Sequence, residues 1–268
     1  MRILLSNYLS DDTPADINSI SIAGAFSRKT FDKYCALKSS SLDAAALERV
    51  QPEIYRALAT ESDGVLFLKV HDAWRKSDRD EPVFPADCTL GVIYIIRSVL
   101  DVAASAAHHW GKSIPDTVER LCREKFSLAA SRKNLQFGLP QPLGSWSGHV
   151  GSWLDQSGLP CLLVRYEDLK ADTTSVLADV IRFCGFSPDE RKLQAAVEQS
   201  RFEKLREKEA SSGFKEHSPQ APGRFFRKGL VGSWREELTP DLVRQLIDTH
   251  GDTMRRFGYL DSRGNPVF

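Results

Sequence analysis

The sequence lacks the features that mark disulfide-bonded, secreted or membrane-spanning proteins. Its five cysteines are scattered, odd in number and contain no Cys-x-x-Cys motif, which argues against a disulfide framework or a zinc site and favours reduced thiols. The longest apolar runs, such as 92–96, are too short to cross a bilayer, and the first ten residues do not resemble a secretory signal. We therefore predict a cytoplasmic protein that does not bind a membrane.

The sequence also lacks an excess of either charge, since 36 basic residues balance 36 acidic ones. No overall field draws the protein to nucleic acid, so any anion site must be local. The 268 residues are 41% apolar, which is enough for a sizeable core. We predict a single domain over residues 1–268.

Three short, apolar runs rich in β-branched residues predict buried strands at 65–70, 92–96 and 161–164. Each run is followed by polar residues and then by a helical pattern. This alternation predicts an α/β fold with a parallel sheet and helices on both faces. Ligands of such folds bind beyond the carboxyl ends of the strands, so the residues after each run are candidates for the site.

Capping residues predict where several helices begin. Ser187 has the position of an N-cap, with Pro188 at the first helical position and Glu190 at the third. Thr239 precedes a proline in the same way near the end of the chain. Asp101 is placed to cap the helix that follows the second strand.

Lys69 and His71 follow the first predicted strand and point to the same side of it by period-two alternation. Together they suit the transfer of an anionic group, because the imidazole can take a proton while the ammonium stabilises charge on the transferred group. A surface lysine and a structural histidine would give the same pattern, so both interpretations stay open.

Arg97 follows the second predicted strand, and Ser105 comes eight residues later. An arginine at a strand end and a hydroxyl near a helix N-terminus can hold one phosphate from two sides. An arginine paired with a carboxylate and a serine on a helix face is the alternative. After the third strand, Tyr166 can present its ring to a base, whereas Glu167 and Asp168 resemble a capping or ion-pair element rather than a catalytic pair.

The stretch from 217 to 234 contains no aspartate or glutamate, yet it carries Arg227 and Lys228 followed at once by Gly229. The arginine offers a planar fork of donors and the lysine a compact charge. Glycine lets backbone N–H groups approach an oxyanion closely. This stretch therefore predicts an anion-binding loop.

Taken together, these segments resemble the sulfotransferases that use 3′-phosphoadenosine 5′-phosphosulfate (PAPS). YIIRSVLDVAAS (94–105) resembles their 3′-phosphate segment, and FFRKGLVGSW (225–234) resembles their Arg-Lys-Gly-x-x-Gly loop. FLKVH (67–71) resembles their Lys-Thr-His segment, and VRYEDLKAD (164–172) resembles their Tyr-Glu-Asp-Leu strand end. GSWSGHVGSW (144–153) is similar to a further family segment.

The resemblance implies a P-loop-like sulfotransferase fold, a small-molecule acceptor bearing a hydroxyl or amine, PAPS as co-substrate and no metal. Lys69 would reach the sulfuryl group, and His71 would deprotonate the acceptor. Arg201 stands where the family has a serine, which leaves the contacts at that position undefined. The implied 3′-phosphate ligands are Arg97, Ser105, Arg227, Lys228 and Gly229, and the implied adenine ligands are Tyr166 and Phe202.

One part of the family pattern is missing. Its first strand and 5′-phosphosulfate loop have no counterpart, and MRILLSNYLS resembles the helix that follows that loop. We interpret Met1 as an internal methionine of a longer chain in preference to the start of a degenerate relative. Without the loop, we expect weak nucleotide binding and slow transfer or none.

Two other functions stay open from the sequence. A catalytically inactive relative would bind the nucleotide without turnover. A P-loop kinase is less favoured because the sequence contains no GxxxxGK[ST] motif. The sequence carries no signal for the identity of the acceptor or for the oligomeric state.

Overall fold

The computed structural model describes residues 1–10, 14–20, 22–25, 27–129 and 138–268. None of the helices within these ranges combines the length and the apolar character that a membrane span requires. In the same ranges, no group of His, Cys, Asp or Glu side chains is arranged to hold a metal ion. All five cysteines are free thiols.

The strands are short and pair two by two. β1 (Ala23–Gly24) and β2 (Leu68–Lys69) are parallel, and β4 (Ser127–Leu128) and β5 (Gln141–Pro142) are antiparallel. β3 (Val92–Ile96) and β6 (Cys161–Arg165) are hydrogen-bonded neighbours.

Helices make up most of the regular structure. Short 3₁₀ turns occur at Ser39–Ser41 and Ser233–Glu236, and a π-helical turn at Ser152–Gln156. The α-helices are α1 (Arg2–Leu9), α2 (Arg28–Tyr34), α3 (Ala44–Thr60), α4 (Val99–Trp110), α5 (Ile114–Cys122), α6 (Trp146–Gly151), α7 (Tyr166–Ala171), α8 (Thr173–Phe183), α9 (Glu190–Gln199), α10 (Phe202–Ser212) and α11 (Pro240–Arg256).

The chain divides into two compact units. The first comprises residues 1–21, 95–122 and 162–268, and the second comprises 22–94 and 123–161. In the first unit α4 packs against α5 and α11, and α8 packs against α7 and α9. These helices bury their apolar sides in a core that includes Val99, Leu100, Val118, Leu177, Ile181, Leu246 and Met254.

The second unit has two apolar clusters. One joins α2 to α3 through Phe31, Leu47 and Ile54. The other surrounds Phe84, whose ring lies 4.9 Å from that of Trp153. Val70 and Trp74, which lie on either side of His71 in the sequence, pack against this second cluster.

The first predicted strand is much shorter than the sequence indicates. We expected a buried strand at 65–70, but only Leu68–Lys69 forms one. Its partner β1 offers only Ala23–Gly24 for pairing, and the side chains of Val65 and Leu66 are exposed. The other two strands form where predicted, and β6 extends one residue further, to Arg165, but most of their residues are only partly buried.

Two of the predicted caps are wrong. The N-cap of α9 is Asp189, which accepts a hydrogen bond from the backbone N–H of Lys192, so Ser187 lies outside the helix. Helix α4 begins at Val99, so Asp101 belongs to its first turn and does not cap it. Thr239 is the N-cap of α11 as predicted, although its side chain makes no capping hydrogen bond.

Candidate functional site

Arg97 lies just beyond β3 and contacts residues 224–234, which we call the basic loop. Its Nη2 donates a hydrogen bond of 2.7 Å to the carbonyl oxygen of Leu230 and lies 3.3 Å from the carboxylate of Asp101. Its guanidinium lies over the ring of Tyr166, 4.3 Å from the ring centre. Its Nε is buried and has no hydrogen-bond partner among the described residues. Arg97 is thus fixed beside the basic loop with one donor unsatisfied.

Asp101 joins helix α4 to the basic loop. Its fully buried carboxylate accepts hydrogen bonds from the backbone N–H groups of Gly232 and Trp234, at 2.8 and 3.1 Å, and from the hydroxyl of Ser233 at 3.3 Å. An aspartate that caps its own helix would bond to N–H groups two or three residues ahead. Here the carboxylate oxygens accept instead from the basic loop, which is more than a hundred residues away in the sequence. The prediction that Asp101 caps α4 is wrong for this reason.

The start of the basic loop is held by Glu209 of α10. Its buried carboxylate accepts hydrogen bonds from the backbone N–H groups of Phe225, at 2.6 Å, and Phe226, at 3.1 Å. Two consecutive N–H groups are therefore fixed immediately before Arg227. Together with Asp101, Glu209 holds the basic loop at both ends.

Gly229 has no room for a side chain. Its φ is +63°, in the left-handed region that favours glycine, and a Cβ here would lie 2.6 Å from the ring of Phe202. Any other residue would have to displace this ring. The glycine therefore allows the basic loop to lie directly against α10.

Arg227 and Lys228 are both paired with carboxylates that follow the basic loop. Arg227 lies 2.8 Å from Glu237, and Lys228 lies 3.0 Å from Glu237 and 2.8 Å from Glu236. Although burial favours the neutral acid, hydrogen bonds from Arg227 and Lys228 lower the pKa of Glu237 below its usual value. Hydrogen bonds to Glu236 and Glu237 raise the pKa of Lys228. Arg227 and Lys228 therefore already pair with carboxylates of the protein itself.

Ser105 is near the end of the second turn of α4, later in the helix than the sequence suggested. It lies one turn beyond Asp101 on the same side of the helix, and it is exposed. Within the described part of the chain, its side chain makes no hydrogen bond to Arg97 or Arg227.

Tyr166 and Phe202 provide two aromatic rings near Arg97 and Gly229. Tyr166 begins α7 beneath the guanidinium of Arg97, and burial raises the pKa of its hydroxyl. Phe202 begins α10 and lies against Gly229. The neighbouring Arg201 is largely exposed and pairs with Glu198 at 2.7 Å. One ring therefore lies against Arg97 and the other against Gly229 of the basic loop. Arg201 instead pairs with Glu198.

Glu167 fixes the backbone next to Arg97. Its buried carboxylate accepts hydrogen bonds from the N–H of Ser98 and from the hydroxyl of Tyr259, both at 3.0 Å. Asp168 is more exposed and lies 3.8 Å from Arg165. The two carboxylates thus have separate structural partners, in keeping with the predicted capping or ion-pair role.

Lys69 and His71 belong to the second unit. Lys69 ends β2, and His71 follows two residues later, with its Nδ1 2.9 Å from the Oε1 of Gln141. With the amide oxygen as acceptor, the proton of a neutral His71 is on Nδ1 and the basic lone pair is on Nε2. This is the tautomer that a general base acting through Nε2 needs.

The segment GSWSGHVGSW holds the backbone that carries His71. His149 contacts the carbonyl oxygen of His71 at 3.0 Å through its Nε2, and the indole of Trp153 donates to the carbonyl oxygen of Asp72 at 2.9 Å. The hydroxyl of Ser152 accepts from the N–H of Trp74 at 3.0 Å. Burial lowers the pKa of His149. With the hydroxyl of Tyr94 donating to its Nδ1 at 2.8 Å, the neutral ring carries its proton on Nε2, from which it donates to His71. The family resemblance pointed to this segment but did not indicate its role.

Asp72, directly after His71, is a buried acid whose charge depends on pH. Burial raises the pKa of its carboxyl to about 6, although Arg75 lies 3.0 Å away and opposes the shift. The candidate base His71 thus has a neighbour in the sequence that titrates close to neutral pH.

Replacing Asp101 with alanine should reduce the free energy of unfolding of the protein by about 3 kcal/mol, because a guanidinium and two backbone N–H groups lose their buried acceptor. Urea unfolding followed by circular dichroism measures this change. Asp179→Ala is the matched control, since Asp179 is exposed and pairs with an exposed arginine. Equal unfolding free energies for the two variants would contradict the anchoring role of Asp101.

Curated sulfotransferases are similar to this chain. Rat sulfotransferase 2A6 is 31% identical over 151 residues, which cover 55% of this chain and 51% of the relative. Human sulfotransferase 1E1 is 27% identical over 189 residues, which cover 66% of this chain and 58% of the relative. The chain thus spans about half the length of the curated relatives it matches.

Solved structures show the same fold. Retinol dehydratase in complex with androsterone and inactive cofactor PAP (3′,5′-adenosine bisphosphate) matches 95% of this chain and 76% of its own, with a TM-score of 0.60 at 18% identity. Mouse sulfotransferase SULT7A1 complexed with PAP matches 95% of this chain and 88% of its own, with a TM-score of 0.51 at 17% identity. The prediction of an α/β sulfotransferase fold is confirmed.

A family model for the sulfotransferase domain matches residues 82–258. This range contains β3, β6, α4 and the whole basic loop, and it exceeds half of the chain. The family model, the curated relatives and the shared fold agree, and the chain belongs to the sulfotransferase domain family.

Proposed function

We propose that this chain transfers a sulfuryl group from PAPS to a hydroxyl or amine of a small-molecule acceptor. The observation that carries the proposal is the hydrogen bond between Arg97 and Leu230, which are 133 positions apart in the sequence. This contact joins the segment that carries Arg97 to the basic loop, which carries Arg227 and Lys228. A nucleotide with a 3′-phosphate requires such a local concentration of donors in a chain without net charge.

The residues present fit the 3′-phosphate end of PAPS. The buried Nε of Arg97 lacks a hydrogen-bond partner among the described residues, and a buried donor without an acceptor is unfavourable. Gly229 has no side chain to keep an oxyanion from its backbone. Arg227 and Lys228 would add charge, and the hydroxyl of Ser105 one further donor. The rings of Tyr166 and Phe202 would stack on or bind the adenine.

PAPS supplies the sulfuryl group, whose bond to the 5′-phosphate breaks as the acceptor oxygen or nitrogen bonds to sulfur. His71 would take the acceptor's proton on Nε2, because its Nδ1 proton is engaged by Gln141. The ammonium of Lys69 would stabilise charge on the transferred group. His149 and Trp153 would keep the backbone of this segment in place. The five free thiols support the cytoplasmic location that the sequence predicts.

Binding and transfer can be tested separately. Calorimetry should show that PAP binds more tightly than adenosine 5′-monophosphate (AMP), which lacks the 3′-phosphate. Radiolabelled PAPS should then pass its label to members of an acceptor panel that includes amines and the alcohols androsterone and retinol, which structures of retinol dehydratase contain.

The outcomes separate the candidate functions. Label transfer supports the enzyme, and tight PAP binding without transfer to any acceptor favours the catalytically inactive relative. If PAP and AMP bind equally, the proposed 3′-phosphate site is wrong.

A further inference from the structure

Glu237 occupies the cations that the proposed function assigns to the ligand. It pairs with both Arg227 and Lys228, and its side chain is 19% exposed. Glu236 pairs with Lys228 and is 74% exposed. The charge of Glu237 is therefore less screened by water than that of Glu236. Glu237 also pairs with both cations, whereas Glu236 pairs with one.

The fold fixes Glu237 in this position. It directly follows the 3₁₀ turn Ser233–Glu236, and its backbone N–H donates to the carbonyl oxygen of Trp234 at 3.0 Å. Trp234 is in turn held by Asp101. The contact between Glu237 and Arg227 thus belongs to an anchored turn and does not depend on a mobile surface side chain.

Glu237 and Arg227 also face the same open space. Both line an open surface pocket of about 480 Å³ within the first unit, together with His108 and Lys112. An anion that approaches Arg227 through this pocket therefore meets the carboxylate of Glu237. Two oxyanions so close together repel each other unless one of them leaves.

We propose that Glu237 is an internal competitor of the 3′-phosphate, which lowers the affinity of the protein for nucleotides that carry this group. The inference rests on the proposed function. A bound phosphate either displaces Glu237 from Arg227 and Lys228 or shares these cations with it. In both cases the negative charge of Glu237 weakens binding of the phosphate, and its removal strengthens it.

The test is calorimetry of Glu237→Gln and Glu237→Ala with PAP and with AMP. Both variants should bind PAP at least about threefold more tightly than the parent chain, which corresponds to the upper part of the range for a partly exposed ion pair. AMP affinity should not change, because AMP lacks the 3′-phosphate. Asp241→Asn removes the same charge four residues away, where the side chain is exposed, and should bind PAP like the parent.

Unchanged or weaker PAP binding by both variants, with thermal unfolding midpoints equal to that of the parent, overturns the proposal. Should the midpoint of Glu237→Ala fall, Glu237→Gln decides, since its amide oxygen can still accept from Arg227. If the parent chain binds PAP no better than AMP, the proposed function fails instead. The two failures are therefore distinguishable.

Discussion

Replacing Arg97 with alanine should weaken PAP binding by about 2–4 kcal/mol, which is roughly 30- to 1,000-fold. The variant loses the guanidinium that would bind the 3′-phosphate, and it also loses the hydrogen bond that holds Leu230. AMP binding should change much less. Calorimetry with both nucleotides measures the two effects.

Two further variants define what Arg97 contributes. Arg97→Lys keeps the charge but loses the planar fork and the stacking on Tyr166, so its affinity should lie between those of Arg97→Ala and the parent. Arg182→Ala is the matched control, because it removes an exposed arginine that pairs with Asp179, and it should bind PAP like the parent. If Arg97→Ala and the parent bind PAP alike, the assignment of the 3′-phosphate site is wrong.

Replacing His71 with alanine should slow sulfuryl transfer by about 100- to 10,000-fold, the usual contribution of a general base. PAP binding should not change, because His71 would act on the acceptor. Initial rates with radiolabelled PAPS and a saturating acceptor measure the loss, and calorimetry with PAP is the control for correct folding.

Gln141→Leu gives an intermediate test of the same group. It keeps the imidazole but removes the hydrogen bond that fixes the Nδ1 proton, so transfer should slow less than in His71→Ala. Transfer by His71→Ala at the rate of the parent would rule out His71 as the base.

The strands show how far local sequence patterns predict this fold. The run 92–96 forms a strand with the predicted ends, and the third strand extends one residue beyond 161–164. The run 65–70 has an equally apolar pattern, but only Leu68–Lys69 pairs, because its partner strand is two residues long. A pattern within one segment carries no information about the length of its partner.

Asp101 shows the same limit for side chains. Its position near a helix start is typical of a cap, yet its hydrogen bonds reach residues 131 to 133 positions away. The sequence of the helix alone cannot indicate which N–H groups a buried carboxylate will meet. The fold decides that when it brings the basic loop to α4.

The family resemblance predicted the cationic residues of the candidate site but not all of the carboxylates that hold the basic loop and its cations. Arg97, Arg227 and Lys228 stand out by motif, whereas Glu209 and Glu237 belong to none of the motifs that carry the resemblance. One signal was present for Glu237, since two glutamates end the long acid-free stretch only ten residues after Arg227. Glu209 offers no such signal because its partners are backbone N–H groups.

A crystal structure of this chain with PAP tests the central claim most directly. We predict that the 3′-phosphate lies within hydrogen-bonding distance of the Arg97 guanidinium and of the backbone or side chains of residues 227–229, with Glu237 turned away from Arg227 or sharing it. A 3′-phosphate bound elsewhere, with the Arg97 guanidinium still engaged by Leu230, Asp101 and Tyr166 alone, would contradict the claim.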